Sequence, residues 1–174
     1  TYSEEPQILG TGGGIKNIQK MIARGTFIVI NGDILIDLNL DKLVEFHHRK
    51  KGVATLVLRD DPEVESYGAI EVDSKDQIKN ILGSMGPRRE KLHRRMFTGV
   101  HVIEPHVMDF IPSGKFYSIT DAYIQMLKEK EKLFGYLTRG YWNDIGVPER
   151  YKAAEHDLKK GKARLSCIQP GSAF

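Results

Sequence analysis

The chain has 174 residues, 40% of them hydrophobic and 28% charged, which is an ordinary composition for one globular domain with a substantial core. Its 26 basic residues nearly balance 23 acidic ones, and the net charge of +3 is too small to indicate nucleic-acid binding. The single cysteine, Cys167, excludes an internal disulfide framework and a multi-cysteine metal site, which favours a reducing compartment such as the cytoplasm. No apolar run approaches the roughly 18 residues of a membrane span, so we expect no membrane partner.

Helical and strand patterns alternate along the chain, which predicts an α/β domain. Apolar runs predict strands at 27–31, 53–58, 67–72, 77–82, 96–103 and 133–138. Helical spacing of apolar residues predicts helices from Ile15 to Ile22, from Leu40 onward, at 118–132 and from Pro148 to Gly161, with a short helix opened by Pro105. Unbroken apolar runs are typical of strands covered on both faces, so we expect a mixed, mostly parallel sheet with one hairpin.

The strand "FIVI" is followed by Asn-Gly-Asp, which places Asp33 at its carboxyl end. In open α/β sheets, ligands lie beyond the carboxyl ends of the strands, so this position favours a functional carboxylate. Asn-Gly-Asp is also a strong turn sequence, and a purely structural turn is the alternative interpretation.

Asp144 is the second carboxylate of interest, in the segment "GYWNDIGVPERY". We expect a turn there, between the strand at 133–138 and a last helix whose residues Tyr151, Ala154 and Leu158 face the core. A helix-entry turn with Trp142 as a core residue is the structural alternative. Taken with Asp33, however, Asp144 supplies a second hard oxygen ligand from a separate strand end, which suits Mg²⁺ completed by water and substrate phosphates.

Two further segments carry weaker signals. The glycine-rich "LGTGGGIKN" (9–17) enters a helix, where backbone N–H groups could approach a ligand closely, although a plain tight turn explains it as well. The segment 83–95 carries five basic residues and is either a solvated loop or a lid whose Arg88, Arg89 or Lys91 pairs with phosphate. We interpret the six histidines as structural.

In order and spacing, "LGTGGGIKN", "FIVINGDILIDLNL", "YGAIEV", "FTGVHVIEPHVMDFIP", "SITDAY" and "GYWNDIGVPERY" resemble the sugar-1-phosphate nucleotidyltransferases. The resemblance extends from about Glu5 to Gly161 and is nearest to the mannose-1-phosphate guanylyltransferase and glucose-1-phosphate thymidylyltransferase group. It implies a three-layer α/β/α nucleotide-diphospho-sugar transferase fold for residues 1–161. The remainder, 162–174, is either the start of an appended β-helix or a disordered tail.

The resemblance also implies a function and a set of roles. Members join a nucleoside triphosphate to a sugar 1-phosphate, which gives an NDP-sugar and pyrophosphate, and a homo-oligomer is possible. The implied roles are Mg²⁺ binding by Asp33 and Asp144, contact with the base by Gly12 and Gly13, and contact with the sugar by Gly68 and Thr98.

Two family elements have no counterpart in this sequence. The Gly-rich loop with Arg and Lys that precedes the L-G-T-x-G turn in relatives is absent, so we expect an N-terminally incomplete domain. The Glu-Lys-Pro of the sugar pocket is replaced by "NILGSMGPRREKL". These departures keep a second hypothesis open, a non-catalytic module that binds nucleotide or sugar phosphate. A glycosyltransferase that uses Asp33 on a finished NDP-sugar is weaker, because Asp144 would then lack a role.

Overall fold

The computed structural model describes residues 1–22, 25–87 and 90–163. The strands, in chain order, are β1 (Phe27–Ile30), β2 (Ile34–Ile36), β3 (Ala54–Arg59), β4 (Ala69–Val72), β5 (Ile78–Ile81), β6 (His93–Ile103), β7 (Leu133–Leu137) and β8 (Trp142–Asp144). The α-helices are α1 (Gly10–Asn17), α2 (Leu40–Lys50), α3 (Val64–Tyr67), α4 (Ile119–Lys128) and α5 (Pro148–Lys159), with a 3₁₀ helix at Pro105–Phe110. Among these residues, no helix is both long and apolar enough to cross a membrane.

Six strands form one mixed sheet in the order β5-β4-β6-β3-β7, with β1 also paired to β6. The predicted hairpin is present as the antiparallel pair of β4 and β5. The mixed α/β class is therefore confirmed, but the expectation of a mostly parallel sheet is wrong for the described residues. Only β3 and β7 pair in parallel, and the other four pairings are antiparallel.

The direction of β6 explains this error. Strands β1, β3 and β7 run the same way, but β6 lies between β1 and β3 and runs against both. An unbroken apolar run indicates burial on both faces and carries no information about strand direction. Strand β1 also differs from expectation because it pairs on one side only within the described chain. Its residues are half-buried, and Ile30 is exposed.

Helices cover both faces of the sheet, which gives the three layers. Strand β3 shows the alternation, since Leu56 and Leu58 face one core cluster while Val57 faces the other. The first cluster contains α4 residues such as Tyr123 and Met126, and the second contains Leu43 of α2. Each of these side chains is almost fully buried, which contributes about 1.5–3 kcal/mol apiece by removing apolar surface from water.

Capping residues set where the two main helices begin. The side chain of Asn39 accepts a hydrogen bond from the N–H of Lys42, and that of Ser118 accepts one from Thr120. The last helix begins at Pro148 as predicted, and Ala154 is buried. Tyr151, however, is exposed, so its predicted core position is wrong. Helix α5 packs mainly against the short strand β8. Because this interface is narrow, one small buried residue, Ala154, is enough to fill it.

Candidate functional site

A bulge in β6 supports the Asn-Gly-Asp turn that carries Asp33. Between Leu56 and Leu58 of β3, the partner residues on β6 change from His101 to Phe97, so β6 carries extra residues there. Gly99 lies in this bulge at φ +80°, and its carbonyl accepts a hydrogen bond from the N–H of Asn31. A Cβ at Gly99 would come within 2.9 Å of the Asn31 side chain. The bulge and its glycine therefore hold the Asn-Gly-Asp turn against the sheet.

The turn after β1 leads into a second, two-stranded sheet. Strand β2 pairs antiparallel with β8, with Ile34 opposite Asp144, and the N–H of Ile145 donates to the carbonyl of Asp33 at 2.8 Å. The predicted turn around Asp144 is therefore partly wrong, because Trp142–Asp144 is a strand. Its partner is more than 100 residues away along the sequence, and a three-residue ladder of this kind leaves no local pattern.

This ladder brings the two aspartates side by side. A Cβ placed on Gly146 would lie 3.1 Å from Oδ2 of Asp33 and 3.1 Å from Oδ1 of Asp144, so the two oxygens are at most twice that distance apart. Gly146 thus leaves open a space bordered by one oxygen from each carboxylate. Asp33 is exposed, and the side chain of Asp144 is about one quarter exposed.

The donor set fits a hard divalent cation. Mg²⁺ is held by one or two carboxylates, retains several waters and takes further oxygens from phosphates. Within the described ranges, no group of three or more histidine, cysteine, aspartate or glutamate side chains is placed to hold a metal. Asp33 and Asp144 would supply two ligands to such a cation, and Mg²⁺ ordinarily completes its shell with water and substrate phosphates.

Asp144 has two partners of its own. The N–H of Gly146 donates to Oδ1 at 2.9 Å, and Nη1 of Arg150 donates to Oδ2 at 2.9 Å. Arg150 was not among the site residues predicted from the sequence. The available signal was its position two residues after Pro148, on the helix that directly follows the Asp144 strand.

An aromatic pair adjoins the carboxylates. Tyr67 and Trp142 meet edge to face at 5.8 Å, with the guanidinium of Arg150 5.7 Å from the Tyr67 ring and that of Arg59 5.4 Å from the Trp142 ring. Burial raises the pKa of the Tyr67 hydroxyl; Arg150 opposes this and Asp144 adds to it, so the pKa lies above its ordinary value. The hydroxyl therefore stays protonated at neutral pH.

The two residues predicted to contact sugar lie around this aromatic pair. Gly68 follows Tyr67 at φ +88°, where a Cβ would collide with Leu82 at 2.1 Å. It borders a cleft of about 320 Å³ that Glu71 and Arg94 also line. The Thr98 hydroxyl is buried and donates to the carbonyl of Val57.

Thr98 is joined to the site through its backbone, since its carbonyl accepts a hydrogen bond from Nε1 of Trp142 at 3.0 Å. The contact of Gly68 and Thr98 with a ligand stays a prediction.

Gly12 and Gly13 lie elsewhere, inside the first turn of α1 rather than before it. Both N–H groups donate to the carbonyl of Tyr117, at 2.9 and 3.1 Å. A Cβ at Gly13 would come within 2.6 Å of the Lys115 carbonyl, and one at Gly12 within 3.0 Å of the backbone at Ser118. Close packing of α1 against the start of α4 therefore accounts for these two glycines, and their contact with a base stays a prediction.

The basic segment 83–95 is only partly described. Arg88 and Arg89 lie outside the described residues, and Lys91 is exposed. The last residues of the segment belong to β6, where Arg94 pairs with Glu65 at 2.7 Å and Arg95 pairs with Asp60 at 3.2 Å. The end of the predicted loop is therefore a strand, and a lid role for its arginines stays untested.

A comparison with known protein families identifies the class of protein to which this fold and these paired carboxylates belong. A family model described as "Nucleotidyl transferase" matches residues 1–161, and the chain therefore belongs to the nucleotidyl transferase family. The predicted resemblance is confirmed.

Individual relatives and a solved structure show which members of the family this chain resembles. The chain is similar to a mannose-1-phosphate guanylyltransferase of Mycobacterium tuberculosis (31% identity, 93% of this chain, 45% of the relative). It is also similar to a UTP–glucose-1-phosphate uridylyltransferase of Synechocystis (34% identity, 87% of this chain, 40% of the relative). It thus spans less than half the length of both. Among solved structures, HddC of Yersinia pseudotuberculosis complexed with GMP-PN superposes with a TM-score of 0.68 at 26% identity, over 88% of this chain and 64% of that one.

Proposed function

We propose that the protein is a sugar-1-phosphate nucleotidyltransferase, which forms an NDP-sugar and pyrophosphate from a nucleoside triphosphate and a sugar 1-phosphate. The observation that carries this proposal is the convergence of Asp33 and Asp144 on the space that Gly146 leaves open. Family membership supports it, as do the names of the relatives, which transfer guanylyl and uridylyl groups to sugar phosphates.

The reaction explains why such a site needs few reactive side chains. A phosphate oxygen of the sugar 1-phosphate attacks the α-phosphorus of the triphosphate, the bond to the β-phosphate oxygen breaks, and pyrophosphate leaves with that electron pair. No covalent intermediate with the protein is required, so catalysis consists of positioning two polyanions and neutralising their charge.

Asp33 and Asp144 would hold Mg²⁺, which supplies charge neutralisation at the phosphates when bound. Trp142 fixes strand β8 to the Thr98 carbonyl, and Gly146 fixes Oδ1 of Asp144. These contacts would orient the Asp144 carboxylate before any substrate arrives, which lowers the cost of assembling the site.

The substrate roles complete the proposal. Gly12 and Gly13 would lie against the base, and Gly68 and Thr98 would contact the sugar; of these two, Gly68 borders the 320 Å³ cleft. GTP with mannose 1-phosphate is the first pair to test, followed by dTTP with glucose 1-phosphate, because the relatives differ in both base and sugar. A cytoplasmic location, a possible homo-oligomer and the division into 1–161 and 162–174 belong to the same proposal.

The decisive experiment measures turnover and binding together. Full-length protein with Mg²⁺ and each pair of substrates should release pyrophosphate and yield the matching NDP-sugar, detected by a coupled assay and by chromatography. Calorimetry with the same nucleotides and sugar phosphates gives affinities. If the protein binds these ligands tightly but releases pyrophosphate with no pair of substrates, it is a non-catalytic binding module and not an enzyme.

A further inference from the structure

Arg150 forms an ion pair with one of the two proposed metal ligands. Its Nη1 donates to Oδ2 of Asp144 at 2.9 Å, while Oδ1 of the same carboxylate borders the space shared with Asp33. The arginine therefore binds Oδ2, whereas Oδ1 accepts the N–H of Gly146 and borders the space shared with Asp33. Its side chain is 43% exposed, so solvent and ligands can reach it.

The charge balance of this trio has a consequence for metal binding. Asp33, Asp144 and Arg150 carry a formal net charge of only one negative unit, because the guanidinium cancels one carboxylate. A bare divalent cation is repelled by that guanidinium a few ångströms away. A cation that arrives with phosphate oxygens brings negative charge with it, and the same guanidinium then attracts the complex.

The chemistry of the guanidinium suits that task. Arginine has five N–H donors in a planar fork that matches phosphate geometry, and the Asp144 contact uses one of them. Once Asp144 gives part of its charge to a metal, its hold on Arg150 weakens and further donors become available. The guanidinium also lies 5.7 Å from the ring of Tyr67, which precedes Gly68 at the cleft, so it is close both to Asp144 and to the residue before the proposed sugar contact.

We propose that Arg150 binds a substrate phosphate group that shares the metal with Asp144, an inference that rests on the proposed function. In the metal-free protein Asp144 occupies the guanidinium, and the metal–phosphate complex takes over that contact. The site thus selects the metal–phosphate complex over the bare metal ion. The phosphate belongs either to the nucleoside triphosphate or to the sugar 1-phosphate, and separate titrations distinguish them.

The test uses three variants of the full-length protein. Arg150→Met removes the charge and the donors, and Arg150→Lys keeps the charge but loses the planar fork. Lys159→Met is the control, because it removes one positive charge from the far end of the same helix, where Lys159 pairs with Glu155 at 2.6 Å. Calorimetry measures Mn²⁺ alone, then Mg²⁺ with GTP or dTTP, then Mg²⁺ with mannose or glucose 1-phosphate, and thermal unfolding verifies folding.

We expect Arg150→Met to bind bare Mn²⁺ about threefold to tenfold more tightly, because a repelling charge is gone. Its affinity for at least one metal–phosphate ligand should fall about tenfold or more, because a charge-assisted donor is gone. Arg150→Lys should keep the Mn²⁺ affinity within about twofold and still weaken phosphate binding. Lys159→Met should change neither.

Two other results separate the possible failures. If Arg150→Met weakens bare Mn²⁺ and metal–phosphate binding alike, or changes neither, the arginine only shapes the Asp144 carboxylate and the inference is wrong. If Arg150→Met does not fold, Arg150→Lys decides by the phosphate titration alone. If the wild-type protein binds no metal–phosphate ligand at all, the proposed function itself fails.

Discussion

Two polar clusters at opposite edges of the sheet show how differently charged side chains can be used. The carboxylate site, formed by Asp33, Asp144 and Arg150, lies beyond the carboxyl end of β1. The Glu104 network, formed by Thr26, His47, Thr55 and Glu104, lies at the end where β1 and β3 begin.

The side chains of the Glu104 network bond to one another. His47 is almost fully buried, with one ring nitrogen 2.9 Å from the Thr55 hydroxyl and the other 2.9 Å from Glu104, which also accepts from Thr26 at 2.6 Å. Partial burial raises the pKa of Glu104, but the hydrogen bonds from Thr26 and His47 outweigh it and hold the pKa below its usual value. Both ring nitrogens of His47, the Thr26 hydroxyl and Oε1 of Glu104 therefore have partners within the network.

The carboxylate site is open by contrast. Asp33 is exposed, and within the described residues no side-chain partner is found for its carboxylate. The space beside it exists only because residue 146 has no side chain. A polar cluster that is fully bonded internally stabilises the fold, whereas one that leaves acceptors and space unused can bind a ligand.

The largest expected effect is on turnover. Asp33→Asn should lower turnover about 10³-fold, or about 4 kcal/mol in the activation free energy, because one metal ligand loses its charge. The free energy of unfolding should change by less than about 0.5 kcal/mol, since Asp33 is exposed. Asp144→Asn should act in the same direction. Steady-state kinetics and urea unfolding measure both quantities.

The matched control is Asp109→Asn, an exposed carboxylate paired with His106 at 3.1 Å in the 3₁₀ helix that follows β6, at the opposite end of β1 from the site. Its turnover should stay within about twofold of wild type. Unfolding of the Asp33 variant with unchanged metal affinity would instead assign Asp33 a structural role.

The second largest effect should be on stability alone. Glu104→Ala leaves a buried histidine and the Thr26 hydroxyl without their shared acceptor, which should cost about 3 kcal/mol in the free energy of unfolding. Metal affinity should be unchanged because the network lies at the other edge of the sheet. Glu45→Ala, an exposed position on α2, is the control, with a cost below about 0.5 kcal/mol. A loss of metal affinity in the Glu104 variant would show that the two clusters are coupled.

A third prediction concerns pH and another closed contact, the buried pair of His101 and Tyr123. Burial lowers the pKa of His101 to about 3, whereas the unfolded chain titrates near its ordinary value of about 6.5. Below about pH 6.5, His101 binds a proton in the unfolded state but not in the folded state, so the free energy of unfolding falls as the pH falls. The loss should reach about 2 kcal/mol by about pH 5.

Urea unfolding at several pH values between neutrality and pH 5 tests this. His101→Gln, which keeps a hydrogen-bonding side chain without a titrating ring, should show a shallower decline than wild type. Parallel pH profiles for the two proteins would mean that other groups cause the acid sensitivity.

The smallest expected effect tests the open space itself. Gly146→Ala should weaken divalent-metal affinity about tenfold, or about 1.4 kcal/mol, because its methyl group would lie 3.1 Å from an oxygen of each carboxylate. The backbone of Gly146 lies outside the left-handed region, so no conformational strain is added. Gly32→Ala is the control one residue from Asp33, where a Cβ would meet nothing within 4 Å. Equal metal affinities for the two variants would refute the proposed cation position.

Several elements of this fold follow from local sequence. The spacing of apolar residues predicted α4, and the closely spaced apolar runs at 67–72 and 77–82 predicted the hairpin of β4 and β5. These signals are local because a helix or a hairpin is formed between residues close in the chain. The position of Asp33 at the end of β1 follows for the same reason.

Other features depend on partners that are distant in sequence. The antiparallel direction of β6 and the short ladder of β2 with β8 arise only when separate segments pack together. The two strands of that ladder have three residues each, too few for a periodic pattern. Arg150 is only six residues from Asp144, but its place on the helix does not by itself show that its side chain reaches the carboxylate.

The sequence by itself therefore determined the family, the α/β class and the identity of the two aspartates, because each is encoded in short, ordered motifs. Tertiary structure alone decided how those aspartates meet and which oxygen of Asp144 borders the space shared with Asp33. Distances of a few ångströms between residues more than 100 positions apart are set by the packing of whole elements, and that packing is not written in any one stretch of the chain.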